Sequence, residues 1–239
     1  MGRRWNEIPR GLHNQRRKTI MQNLVWPESY INKIICGDCL EVMKGIPDKA
    51  VDLVLTDMPY GIDIDYGVYV DSIDNLKELI AKSIPEFLRI GKRVAIFTGI
   101  TNLFLYPQPN WIMSFTWNTT GSFGKYGVNQ WQPIIVYGED IKGFGSVNGI
   151  LKSDTLAFSG MGSAKYSQND HPCPKPERVM MKAIARLSNE KEIVLDGFAG
   201  SGTTLKACQE LNRQYIGIEI NPKYCEIANR RLAQEYLFT

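Results

Sequence analysis

No stretch of the 239-residue chain approaches the ~18 consecutive apolar residues that a membrane-spanning helix needs. The N-terminus also lacks the apolar core of a secretory signal, so the cytosol is the expected compartment and no membrane partner is expected. The five cysteines are odd in number and follow no export signal, which reads as reduced thiols and excludes a disulfide framework. Cys36 and Cys39 have the spacing of a redox or zinc pair, yet no second pair follows and His171 and Cys173 are far away in sequence, so no metal is expected. Internal repeats and low-complexity segments are absent too. What remains is a composition of 44% hydrophobic and 22% charged residues, ordinary for a globular protein, at a length that suits one well-buried unit better than two.

Charge is unevenly spread. Residues 1–30 carry Arg3, Arg4, Arg10, Arg16, Arg17 and Lys18 against only Glu7 and Glu28, a local +4 that leaves the rest of the chain at −1 within an overall +3. Such a basic arm suits phosphate binding by counterion release, although a solvated tail has the same composition. Trp5, Trp26 and Tyr30 are unusual in a purely solvating tail and could stack on bases.

From residue 31 the chain alternates short apolar runs with amphipathic segments. Strands are expected at 34–36, at 50–56 leading into Asp57, and at 93–97. Asp38 is placed to cap a short helix, and a second helix is expected from Asp74 with Leu76, Leu79, Ile80, Ile84, Phe87 and Leu88 on one side and Pro85 as a kink. The sum is the βαβ rhythm of a parallel sheet. Between 101 and 170 that rhythm breaks. Residues 111–117 and 131–137 look like strands, antiparallel to each other, and 139–170 reads as a long functional loop or small insertion. Regularity returns with a helix led by Pro176, a strand at 193–195, a helix from Thr203 to Leu211, a strand at 215–218 and a last helix from Pro222 to Leu237.

Two motifs carry the chemistry. Asp57-Met58-Pro59-Tyr60 sets a carboxylate, a turn and an aromatic ring at the end of a buried strand. Asp196-Gly197-Phe198-Ala199-Gly200-Ser201-Gly202-Thr203-Thr204 is a glycine-rich strand-to-helix turn that lets backbone approach a nucleotide. Glu219 follows Gly202 by 17 residues, at the end of the next strand, where an acidic side chain accepts hydrogen bonds from ribose hydroxyls. A nicotinamide-dependent oxidoreductase would also use that turn and Glu219, but it leaves Asp57–Tyr60 without a task.

In these motifs the chain resembles the DNA amino-methyltransferases that use S-adenosylmethionine, in the permuted β-type arrangement where the catalytic motif precedes the cofactor motif. Four segments carry the resemblance. Gly37-Asp38-Cys39 is similar to the motif that binds the adenine end of the cofactor. Asp57 to Tyr60 is similar to Asp-Pro-Pro-Tyr, His171-Pro172-Cys173-Pro174-Lys175-Pro176 to the His-Pro-x-x-Lys-Pro motif beside the methionine portion, and Asp196 to Thr204 to the cofactor loop.

The resemblance implies a Rossmann-like α/β fold, a doubly wound, mostly parallel sheet of the class I methyltransferase type with an antiparallel edge strand. Its domain would span 31–239, with a small target-recognition insertion at 139–170. It implies that Asp57, Met58, Pro59 and Tyr60 are catalytic on an amino group of a base extracted from double-stranded DNA. Asp38, Cys39, His171, Lys175, Pro176, Asp196, Phe198, Gly200, Ser201, Gly202, Thr203 and Glu219 would hold the cofactor. Met58 departs from the family's proline, and because the role there belongs to a backbone carbonyl, activity is expected to survive. Aspartate at position 57 leans towards adenine; the cytosine amino group and a catalytically weak DNA-binding relic are the alternatives. The 32-residue insertion is small for a reader of sequence, which implies a short site, help from the basic arm, or a homodimer sharing the duplex. The resemblance also admits a cognate restriction endonuclease as partner and a bacterial or phage-encoded source.

Overall fold

The computed structural model describes residues 24–117, 122–124, 127–138, 146–147, 150–151, 153–158 and 175–234. Arg3, Arg4, Arg10, Arg16, Arg17, Lys18 and His171, together with most of the 139–170 insertion, lie outside the described residues.

An eight-stranded sheet forms the centre, built from β1 (Lys33–Cys36), β2 (Val51–Asp57), β3 (Gly91–Phe97), β4 (Trp111–Trp117), β7 (Trp131–Gly138), β10 (Thr155–Phe158), β11 (Ile193–Asp196) and β12 (Gln214–Glu219). Their spatial order is β1-β12-β11-β2-β3-β7-β4-β10. Short strands pair outside this sheet as β5 (Ser122–Gly124) with β6 (Gly127–Asn129), and β8 (Ser146–Val147) with β9 (Ile150–Leu151).

The doubly wound, mostly parallel sheet expected from the sequence is present. The antiparallel strand, β7, sits two places in from the edge where it was expected: it pairs with β3 on one side and β4 on the other, and β10 closes the edge parallel to β4. Strand β10 comes from the stretch read as a loop, and its pairing explains why. Thr155 to Phe158 is too short to show a period, and its edge position is defined only by the register Thr155↔Ser114.

Apolar runs become strands here because both faces of the sheet are covered. Along β2, Val54 faces a cluster with α1 (Cys39–Met43) and α2 (Ile73–Ile90), while Leu53 and Leu55 face one with α3 (Glu177–Leu187) and α4 (Thr203–Glu210). Val94 and Ile96 against Ala95 and Phe97 repeat the alternation on β3. Ser72 caps α2 by accepting from Asn75 N at 3.3 Å, and the helix continues through Pro85.

Two corrections concern the ends of the domain. Tyr30, counted with the arm, is 1% exposed and meets the half-buried Trp26 in a tilted ring pair at 5.4 Å, so Tyr30 belongs to the core and Trp26 packs against it, while Trp5 lies outside the described residues. The final helix, α5 (Pro222–Leu232), stops well before Leu237; Lys206 Nζ donates to Gln234 O at 3.0 Å and fixes the chain after the last turn.

Candidate active site

The carboxyl ends of the parallel strands gather on one side of the sheet, with β11 ending two residues short of its neighbours β12 and β2. Cys36 lies opposite Glu219, Asp196 opposite Gly217, and Asp57 opposite Phe97. Strand order reverses between β11 and β2, and a cleft opens there, as expected for an open α/β sheet. Its volume is about 260 Å³, and Asp38, Asp57, Tyr60, Lys175, Asp196 and Glu219 are among its lining residues.

Asp57 ends β2 with both carboxylate oxygens engaged. Tyr60 Oη donates to Oδ1, and Lys175 Nζ donates to Oδ2 at 2.7 Å. Lys175 reaches across from the start of α3, also donates to Tyr60 Oη at 3.1 Å, and lies 5.1 Å from the Tyr60 ring centroid. The structure therefore sets Lys175, expected against the cofactor, on the Asp57 carboxylate. Burial and the neighbouring Asp57 charge push the Tyr60 phenol well above its ordinary range.

Pro59 lines the cleft, whereas Met58 turns its side chain away from it. At 1% exposure it packs in the core with Leu76 and Tyr106, whose hydroxyl lies 4.0 Å from the Met58 sulfur. Proline would leave that volume unfilled, which gives methionine a reason of its own at this position.

The glycine turn is braced from within. Asp196 Oδ1 accepts from Thr56 Oγ1 at 2.7 Å and from Phe198 N at 3.0 Å, and Oδ2 accepts from Thr204 Oγ1 at 2.5 Å. Burial raises Asp196 to about 6 against these bonds. Gly200 and Gly202 have φ of 51° and 80°, and a Cβ on Gly202 would come 2.9 Å from Ala228 Cβ. Glu219 Oε2 accepts from Gly200 N at 2.8 Å and Oε1 from Asn221 N at 2.7 Å, while burial raises its pKa. Thr203 Oγ1 accepts from Arg231 Nη1 at 2.9 Å, which ties the turn to α5.

The remaining expected residues sort themselves by geometry. Asp38 caps α1 by accepting from Leu40 N at 2.9 Å and lines the cleft, as do Cys39, Phe198 and Ser201. Phe198 meets Phe87 edge to face at 6.3 Å, and Pro176 is the N-cap of α3.

Sequence reasoning missed two residues. Asp71, 2% exposed, folds the loop after the catalytic motif by accepting from Gly61 N at 2.7 Å, Ile62 N at 3.2 Å and Ile64 N at 3.3 Å. Gln132 on β7 donates to Tyr60 Oη. Gly61 and Asp63, residue types that favour turns and take left-handed φ here, were a readable sign of the turn that Asp71 braces; nothing local marked Gln132.

The donor set fits S-adenosylmethionine. Four carboxylates, those of Asp38, Asp57, Asp196 and Glu219, face the cleft with one ammonium, that of Lys175, which favours a cation and repels the pyrophosphate of a dinucleotide. Each Glu219 oxygen has a lone pair beyond its one backbone donor, enough for the two hydroxyls of a ribose. The buried Tyr69 hydroxyl on the cleft wall has no partner among the described residues.

A class I methyltransferase fold is the class of protein that this sheet and cleft define. Residues 117–230 match the family model described as DNA methylase. The chain is 30% identical over 237 residues to the type II methyltransferase M.HpaI of Haemophilus parainfluenzae, an alignment covering 85% of this chain and 75% of the relative. It is 26% identical to the DNA adenine methyltransferase YhdJ of Escherichia coli K12, over 83% of this chain and 82% of that protein. The crystal structure of an M1.HpyAVI–SAM complex superposes with a TM-score of 0.62 at 23% identity, over 84% of this chain and 99% of that one. The chain belongs to the N6-adenine/N4-cytosine DNA methyltransferases, a family of S-adenosylmethionine-dependent enzymes.

Proposed function

We propose that the protein methylates the N6 amino group of adenine in double-stranded DNA, on a base turned out of the helix against Tyr60. The observation that carries this reading is Asp57, a strand-end carboxylate whose oxygens already accept from two donors in the same cleft as Glu219. An aromatic amino nitrogen is a poor nucleophile because its lone pair is delocalised into the ring. Asp57 would accept one of its N–H bonds and the Met58 carbonyl the other, which draws the nitrogen towards a tetrahedral, more nucleophilic form. The same carboxylate stands beside the proton that the nitrogen sheds after transfer. S-adenosylmethionine, when bound, supplies the methyl group on a sulfonium centre.

The chain's own groups orient the reaction. Glu219 would take the ribose hydroxyls, Gly200, Ser201 and Gly202 would bring backbone against the ligand, and Asp38 and Cys39 would meet the adenine end. Tyr60 would stack on the base and Pro59 fix the turn between them. His171 and the basic residues Arg3 to Lys18 keep their proposed roles towards cofactor and phosphates. A cognate restriction endonuclease, as the type II name of the relative M.HpaI suggests, and a homodimer complete the proposed set of partners.

Adenine is favoured by aspartate at 57 and by the adenine specificity named for YhdJ; the same acceptors would serve the cytosine amino group. The test is incubation with unmethylated plasmid DNA and labelled S-adenosylmethionine, then mass spectrometry of the nucleosides, with Asp57→Ala as control. N6-methyladenine that disappears in the variant is the expected result. N4-methylcytosine would move the assignment to cytosine, and cofactor binding without label in either base would favour a DNA-binding relic.

A further inference from the structure

The Tyr60 hydroxyl has three partners. It donates to Asp57 Oδ1 and accepts from Gln132 Nε2 and, at 3.1 Å, from Lys175 Nζ. A phenol owns one proton and two lone pairs, so these partners use its full capacity. An ammonium cannot accept, which makes Lys175 a donor by necessity.

Gln132 is the member of this group that comes from outside every recognised motif. It lies on β7 opposite Phe115 of β4, and the next residue accepts a backbone bond from Thr98 N at 3.1 Å, which stitches this end of β7 to the end of β3. Asn102 Nδ2 holds the Tyr60 carbonyl at 2.7 Å. The tyrosine is thus fastened at its backbone and at the far end of its ring.

We propose that Gln132 is a positioning residue for methyl transfer: as a fixed N–H donor to Tyr60 Oη it directs the phenol proton onto Asp57 Oδ1 and holds the ring plane on which the base stacks. The inference rests on the methyl-transfer reading above. An acceptor at position 132 would compete with Asp57 for the single phenol proton, and the carboxylate that must receive the base would lose its fixed orientation. The raised phenol pKa keeps that proton in place, and Lys175 supports the arrangement from a third direction.

The experiment compares Gln132→Leu, which removes the donor, with Gln132→Glu, which replaces it by an acceptor. The readouts are kcat and KM on plasmid DNA, the calorimetric affinity for S-adenosylmethionine, and the Tyr60 ¹³Cζ resonance in protein with labelled tyrosine. Loss of one such hydrogen bond lowers kcat about tenfold in Gln132→Leu, and the acceptor lowers it further. Cofactor affinity stays within about twofold in both variants, as for an interaction acting on the chemical step. The Tyr60 resonance moves in both. The order of the two variants is the signature of a donor, since lost packing alone would spare the near-isosteric glutamate. An unmoved resonance, a wild-type kcat in Gln132→Leu, or a loss confined to cofactor affinity would overturn the proposal. A wild-type protein that methylates no DNA would instead sink the methyl-transfer reading, and the resonance would then decide whether Gln132 controls the hydroxyl.

Discussion

Thr56 Oγ1 donates to Asp196 Oδ1 over 2.7 Å, and this bond joins the residue before Asp57 to the first residue of the glycine turn. The two residues lie 140 positions apart in sequence yet share a buried side-chain contact. Thr56→Val removes the donor and keeps the shape, leaving Asp196 with one partner fewer. The expected cost is about 1–3 kcal/mol in urea unfolding, together with a fall in kcat as Asp57 loses its anchor. An unchanged unfolding midpoint would show the bond to be dispensable.

Asp196 also sets a pH dependence. Its folded pKa, about 6, lies above the ordinary 3.8, so the folded chain binds the proton more tightly than the unfolded one. That contribution to stability is complete below pH 3.8 and is lost as pH rises through 6. The full difference is on the order of 3 kcal/mol. Asp196→Asn removes it, so the stability of the variant relative to wild type should rise between pH 4.5 and pH 7. Equal differences at the two pH values would contradict this.

Met58 acts through its backbone in the proposed chemistry and through its side chain in the core. Met58→Ala should therefore destabilise by about 2–4 kcal/mol through the cavity it leaves. Methyl transfer per folded molecule should fall far less than in Asp57→Ala. Unfolding curves and active-site-normalised rates, taken on the same preparation, separate the two effects.

Gly202 combines a left-handed φ of 80° with the close approach of Ala228. Gly202→Ala meets both obstacles and should lower stability by about 1–3 kcal/mol, read as a drop in Tm. Gly127, with φ of 134° and nothing among the described residues within 4 Å of an added Cβ, offers a control with strain but no clash.

Asp71 holds three backbone N–H groups of the loop that walls the cleft. Asp71→Ala strands them, and affinity for S-adenosylmethionine should fall about tenfold or more, measured by calorimetry. Affinity equal to wild type would mean that the loop does not contribute to the wall when ligand is bound.

Much of the fold could be read from the chain because β2, β3, β11 and β12 are buried on both faces and show as short runs dominated by apolar residues. The glycine turn was legible for a similar reason: its geometry is local. The place of β7 inside the sheet was not, since strand order is a long-range property that no period encodes. Lys175 illustrates the same limit within the site. Its motif announced a cofactor contact, but its salt bridge to Asp57 depends on where α3 begins relative to the end of β2. Trp26 and Tyr30 were read by composition as part of a basic arm, and only their packing assigns Tyr30 to the core with Trp26 against it.

The gathered strand ends also act as a ruler. Glu219, Asp196 and Asp57 terminate three consecutive strands, so the span from the proposed ribose contact to the reacting carboxylate is counted in strand spacings, two steps of about 4.8 Å. Loops can lengthen, shorten or change composition without altering that span. Evolution can thus rewrite the DNA site that such an enzyme reads in the connections between strands, while the reach from sugar to methyl stays fixed by the backbone hydrogen bonds of the sheet.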